Sequence, residues 1–276
     1  MPEGRQKVLM VTSPPPPPRL FHYQRYVAEY LDTLLTRGTV KLSRPDNFND
    51  PWDCRLRYVI PGDDAERLRV VRWCADMHRK HQPSTSEAKR ALLAFNLQSD
   101  PAKLEAAILE MERQMYAAIC KQYRVYCLAE KPDSQLMWSH YAQSHTGLCL
   151  EFDTSGFPFR ASTKVEYRAE YPTYDLPTIG YEPLVAKSVD WSYEAEWRLI
   201  AEERGFAQSD MTVKTDDDFL LIPRDVLRSI TIGMRADEPT RTLIRKTVQA
   251  HAPHVLVRQA ERAPDRYEVK LDPPIQ

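Results

Sequence analysis

Three short stretches of this chain collect ionisable and aromatic side chains at spacings that permit chemistry. One reads Trp191-Ser192-Tyr193-Glu194-Ala195-Glu196-Trp197-Arg198, with Lys187 just before it. On a strand, residues two apart point to the same face, so Glu194, Glu196 and Arg198 are expected side by side. Such a group is either a surface ion-pair cluster or a carboxylate held in a cleft by aromatics and a guanidinium. Another stretch reads Met137-Trp138-Ser139-His140-Tyr141 and runs on to His145, Gly147 and Cys149. Zinc-protease helices place two histidines four apart with a glutamate after the first. Here the histidines are five apart and Tyr141 follows His140, so no metal is expected, and His140 is expected to face a cleft while Trp138 and Tyr141 pack. A thiol–imidazole pair of His140 with Cys127 or Cys149 has no local signature. The remaining stretch, Arg44 to Asp53, contains Phe48-Asn49-Asp50-Pro51-Trp52-Asp53. Its Asn, Asp and Pro residues make either a locked turn or a ligand-binding loop after a strand.

Regular elements must present these stretches. Leu20 to Tyr26 has strand character, Val27 to Thr36 has a one-sided apolar face ending at Gly38, and Thr39 to Ser43 alternates again. Asp63 to Tyr123 is expected to be helical, and Asp100-Pro101 is a helix start. Leu104, Ile108, Met111, Met115 and Ile119 recur at helical spacing and belong in a core. Val125 to Ala129 reads as a strand, Ser134 to Ser144 as a helix, and Leu148 to Asp153 and Thr163 to Arg168 as strands. Pro172 to Pro183, with Gly180, reads as a loop. Glu196 to Glu202 alternates, with Trp197, Leu199 and Ala201 on one face and Glu196, Arg198 and Ile200 on the other. Phe219 to Ile222, Ile230 to Ile232, Val255 to Val257 and Tyr267 to Leu271 are further strands, with a helix at Thr240 to Ala250. Strands and helices do not alternate evenly and no glycine-rich phosphate loop opens a βαβ unit. The pattern is α+β, not a Rossmann or P-loop fold.

A formal net charge of -1 excludes the overall basic excess of a non-specific nucleic-acid binder. Five irregularly spaced cysteines without a Cys-x-x-Cys pair argue against a disulfide framework and for a reducing, cytoplasmic setting. No apolar run reaches the roughly 20 residues of a membrane span. Residues 1–19 are expected to be a flexible leader carrying Pro14 to Pro18, a stretch that a proline-recognising partner could bind. Residues 20–276 are then one domain with a helical insertion at about 63–123.

Taken in order, Phe48 to Asp53, Met137 to Ala142, Gly147 to Asp153 and Trp191 to Arg198 resemble the motifs of the domain-of-unknown-function family 2971, over roughly residues 20 to 270. His22 departs from that pattern, where lysine is more usual. The order of elements more distantly resembles the ADP-ribosyltransferase fold, above all DNA-modifying toxins. That likeness implies split, mainly antiparallel sheets that clamp NAD as a co-substrate, and a part in microbial conflict or phage defence. It further implies a carboxylate that stabilises an oxocarbenium-like ribose when nicotinamide departs. On this likeness Glu196 is the catalytic carboxylate, with Glu194 placed to position or deprotonate the acceptor. Arg44 would meet the pyrophosphate. Tyr23 and Tyr141 would be stacking platforms, while Asn49 and His140 would contact the amide or ribose, with Asp50 and Arg198 completing the binding set. The acceptor, whether nucleic acid, protein, small molecule or water, is left open. Two other functions stay open as well. One is a binding module in which Arg198 neutralises Glu196. The other is a metal-dependent hydrolase or nuclease built on His140, Asp50, Asp53 and Glu196.

Overall fold

The computed structural model describes residues 13–175, 182–204 and 213–273. The chain opens with β1 (Arg19–Gln24), α1 (Ala28–Arg37), β2 (Thr39–Lys41) and β3 (Arg57–Tyr58). Three helices follow, α2 (Asp64–His81), α3 (Glu87–Ser99) and α4 (Pro101–Gln122). The middle runs β4 (Tyr123–Ala129), α5 (Gln135–His140), β5 (Leu148–Asp153), β6 (Thr163–Lys164), β7 (Glu166–Arg168), β8 (Thr173–Tyr174) and β9 (Ala186–Ser188). After a 3-10 helix at Val189–Glu194 come β10 (Glu196–Glu203), β11 (Lys214–Thr215), β12 (Phe219–Leu221), β13 (Leu227–Ile232), α6 (Glu238–His251), β14 (Leu256–Arg262) and β15 (Val269–Leu271). The fold is mixed α+β with mostly antiparallel pairing.

The main sheet runs β11-β10-β4-β1-β5-β13-β14-β15, with β6 also paired to β10. Only β10 with β11 and β13 with β14 are parallel within it. Its centre has an uneven seam. β1 and β5 share six register pairs, whereas β1 meets β4 at one, Phe21 opposite Ala129. Further along, β4 turns its free edge to Ser43, whose N–H and C=O both bond Val125. The sheet therefore opens between β1 and β4, and the segment after β2 borders the opening.

Local chemistry explains the elements around that opening. Gly38 ends α1 in the left-handed region at φ 67°, returning its N–H to Leu34 and Thr33. Asp100 caps α4 with Pro101 at its first position. In β10, Trp197, Leu199 and Ala201 enter the large core under α1 and α6, while Ile200 faces the core made by α2 to α4. Leu104, Ile108 and Ile119 are buried in that second core, with Met111 and Met115 packed against it. A third cluster joins Trp138 and Met137 of α5 to Tyr23, Ala129 and Cys149.

Several expectations are corrected. The helix expected over Ser134 to Ser144 stops at His140, because Gln143, Ser144 and His145 all take positive φ (49°, 52°, 68°) and wind a left-handed turn. The strand expected over Thr163 to Arg168 breaks at Val165, whose N–H bonds Glu196, and its halves pair with β10 and β9. Thr173–Tyr174, expected in a loop, pairs with β3, and Gly180 lies outside the described residues. Of the expected leader 1–19, residues 13–19 are described, and Arg19 already belongs to β1. The Ser13 hydroxyl accepts from the Lys164 N–H at 2.9 Å, and the Pro17 and Pro18 carbonyls accept from Thr154. No described helix is long and apolar enough to cross a membrane.

Candidate functional site

The opening between β1 and β4 is a cleft of about 360 Å³. Phe21, His22 and Tyr23 of β1 form one wall and Val125 to Leu128 of β4 the other. Phe48 and Asn49 close the rim from one side and His140 and Tyr141 from the other, while Asp53, Lys187, Glu194, Glu196 and Arg198 form the charged end.

The charged end is a buried network. Arg198, fully buried, grips Glu196 through Nε–H to Oε1 at 2.8 Å and Nη2–H to Oε2 at 3.0 Å. It grips Asp53 with both terminal nitrogens at 2.8 and 2.6 Å. Its Nη1 also donates to the Leu184 carbonyl at 2.9 Å, and its guanidinium lies over the Phe48 ring at 5.3 Å. Lys187 Nζ reaches Glu194 at 2.5 Å, Glu196 at 3.1 Å and Asp53 at 3.6 Å, and sits 4.9 Å from the Trp191 ring centre. Three carboxylates against two cations give the cluster a formal charge of one negative when all are ionised.

The two glutamates are driven apart electrostatically. Burial works against charge on Glu196, but Arg198 and then Lys187 outweigh it and hold the carboxyl down to about 2. Glu194 is raised, by burial first, with Lys187 opposing and Glu196 adding. Its Oε1 accepts the Tyr141 hydroxyl at 2.5 Å, and Asn49 Nδ2 reaches that hydroxyl at 3.5 Å. Opposed environments of this kind assign carboxylates to different tasks.

The expected strand geometry does not hold for Glu194. It ends the 3-10 helix, and Ala195 turns the chain through the left-handed region (φ 44°, ψ 52°) before β10 begins at Glu196. Strand alternation therefore does not bring the two carboxylates together; the turn and Lys187 do. Arg44 is also displaced. It lies off the cleft wall and spends both hydrogen bonds on Asp46, at 3.0 and 2.7 Å. Asp50 is buried and accepts the Trp52 N–H at 2.9 Å, shaping the loop. It lines a neighbouring cavity of about 290 Å³ that shares Asp53 and Lys187 with the cleft. Tyr23 lines the cleft, but its hydroxyl is held by the Lys131 carbonyl at 2.7 Å and its ring packs edge-on to Trp138. Glu194, Glu196, His140, Tyr23, Asn49, Tyr141 and Arg198 thus meet at one cleft; Arg44 and Asp50 do not.

Two further residues of the cleft, Lys187 and His22, were noted in the sequence but given no role there. Lys187 stands seven and nine residues before Glu194 and Glu196, on a strand that among the described residues pairs with β7. His22 stacks on Tyr126 at 4.0 Å and its Nδ1 meets the Cys127 carbonyl at 2.7 Å. Burial pushes its imidazole down to about 4, so it is neutral at pH 7. Burial also drives the Cys127 and Cys149 thiols well up, which removes the thiolate a cysteine nucleophile requires. Among the described residues no three His, Cys, Asp or Glu side chains are arranged to hold a metal ion.

A second groove of about 250 Å³ adjoins the cleft and shares His22, Ser43, Asn47 and Tyr126 with it. Arg25 and Lys41 line it. Lys41 lies 5.8 Å from the ring centres of Tyr30 and Phe219. The groove's acid, Asp218, is paired with Arg124.

A family model described as a protein of unknown function (DUF2971) matches residues 137–183. That stretch carries two of the four motifs, Met137 to Ala142 and Gly147 to Asp153, and supports the resemblance to that family. No curated protein and no solved structure matches the chain.

Proposed function

We propose that the cleft binds NAD and breaks the bond between its ribose and nicotinamide, passing ADP-ribose to an acceptor hydroxyl or amine, or to water. The charge distribution of the cleft carries this assignment. NAD is dipolar, with a cationic nicotinamide ring at one end and an anionic diphosphate in the middle. The net-negative, aromatic-walled cleft suits the first, and the adjoining groove offers Arg25 and Lys41 to the second. With Arg44 committed to Asp46, these two cations replace it as phosphate contacts.

The geometry supports the following roles. Glu196, held ionised by Arg198 and Lys187, is a fixed negative charge that stabilises the positive charge growing on the ribose carbon. The bonding pair leaves with nicotinamide, which becomes neutral. The acceptor adds to the ribose carbon and gives its proton to Glu194, whose raised affinity for protons suits a base. Phe21, Phe48 and Tyr141 supply ring faces, and Asn49 and His140 supply polar contacts at the rim.

Nicotinamide release by the purified chain tests this directly. Wild type is expected to release it, and Glu196→Gln to lose about 10²–10³ of the rate, by analogy with removal of one preorganised charge-stabilising group. Melting curves establish that the variant is folded. Absence of both NAD binding and release, with nucleic acid and protein extracts supplied as acceptors, refutes the assignment. A second function, a binding module without turnover, is favoured by the capture of both Glu196 oxygens by cations. It predicts NAD binding with no release, and no effect of Glu194→Gln beyond affinity.

A further inference from the structure

Glu194 receives its charge compensation from one place. Arg198 binds Asp53 and Glu196 in two-pronged fashion but makes no bond to Glu194. Among the described residues, Lys187 is the one cation paired with Glu194. It comes from β9, a strand otherwise outside the cleft, and its ammonium touches carboxylates from three separate segments. It also spans the left-handed Ala195, so it ties the end of the 3-10 helix to the start of β10.

The other groups around Glu194 cannot take over this task. Tyr141 donates one hydrogen bond but carries no charge at neutral pH, since burial holds its hydroxyl protonated. Glu196 and Asp53 are like charges. Tyr167 spends its hydroxyl on the Glu196 N–H at 2.8 Å. Asn49 reaches Tyr141, while Tyr193 and His140 face each other at 6.3 Å. Without Lys187 three carboxylates would share one guanidinium, and the uncompensated one would be Glu194. A buried carboxylate beside two others takes up a proton.

We propose that Lys187 is a positioning residue for the cleavage reaction: it keeps Glu194 ionised and aimed at the acceptor, so that Glu194 is free to accept the acceptor's proton. This rests on the NAD-cleaving assignment above, and the proton balance is the one given there. Lys187 itself neither binds the acceptor nor gains or loses a proton.

The test uses the full chain as wild type, Lys187→Met and Lys187→Arg. Two quantities are measured: nicotinamide release against pH, and the titration of Glu194 by carbon NMR on carboxyl-labelled glutamate. The Glu194 resonance is assigned by its loss in Glu194→Gln. In Lys187→Met the Glu194 midpoint and the acid limb of kcat are both expected to rise by at least about one pH unit, a ten-fold rate loss below the limb. Lys187→Arg is expected to restore most of both. KM for NAD is expected to change little. An unchanged Glu194 midpoint overturns the proposal, as does a rate that falls equally at every pH. Should Lys187→Met not fold, Lys187→Met with Asp53→Asn keeps the cluster's net charge, and the same midpoint is read there. If wild type releases no nicotinamide, the cleavage assignment fails, and the Glu194 midpoint still decides the role of Lys187.

Discussion

At the scale of single residues, the cluster is tight because each charge has more than one partner. Arg198 is the hub, and removing it would leave Asp53 and Glu196 buried with only Lys187 between them. Breaking a buried pair from one side costs about 3–5 kcal/mol, so Arg198→Met is expected to lower the unfolding free energy by that amount in urea titrations. Acid should act through Glu196. Its folded carboxyl is held down to about 2, against an ordinary 4.5, so its contribution is complete above about 4.5 and is lost as the pH falls toward 2. Glu194, raised by burial, acts in the opposite sense. The melting temperature is therefore expected to drop between pH 4.5 and 2, and less steeply in Glu196→Gln; equal slopes would refute the account. The pairing of Glu196 with Arg198 was legible from their two-residue spacing on an alternating strand. Arg44 was misdirected because Asp46, two residues on across a 3-10 turn, captures it first. Lys187 was visible beside the stretch, but its partners were not, since they lie seven, nine and 134 residues away and meet it only in the folded chain.

At the scale of elements, the long periodic segments were readable and the turns that aim the site were not. The strand edges of β10 and the helix start at Asp100 follow from alternation and capping, which are local. The left-handed turn at Gln143 to His145 and the single left-handed Ala195 carry no glycine to announce them. Each costs about 1–2 kcal/mol per residue and is held by its surroundings. For the 143–145 turn those surroundings are close: the His145 carbonyl accepts the Arg235 N–H at 2.9 Å. The same carbonyl lies where a side chain on Gly233 would have to go, with a Cβ there only 2.2 Å from it. Gly233→Ala must push the turn away from β13, and is expected to cost about 1–3 kcal/mol or more. Gly156→Ala, with nothing within 4 Å of its added Cβ, is the control and should stay within about 0.5 kcal/mol. Equal melting temperatures for the two variants would show that the turn yields freely. Because His140, the last residue of α5, and Tyr141 precede this turn directly, Gly233→Ala should also weaken any ligand contact made at that rim.

At the scale of the molecule, α2 to α4, the segment expected to be an insertion, lie between β3 and β4 in sequence and pack against the sheet in space. Val70, Val71, Leu97, Leu104, Ile108 and Ile119 share one buried cluster with Val125 of β4 and Ile200 of β10. Ile200 lies on the same face of β10 as Glu196 and Arg198, and Cys54, next to Asp53, belongs to that cluster too. The insertion therefore backs the charged end of the cleft, and it cannot unfold without exposing the strand that carries Arg198. Ile108 is wholly buried, two turns into α4. Truncating such a side chain to alanine costs about 2–5 kcal/mol through lost transfer energy and the cavity left behind. If sheet and insertion are one cooperative unit, Ile108→Ala lowers a single calorimetric transition whose calorimetric and van't Hoff enthalpies agree. Two transitions, with only the earlier one moved by the variant, would make the insertion an independent unit and would remove it from any account of how Asp53 and Arg198 are held.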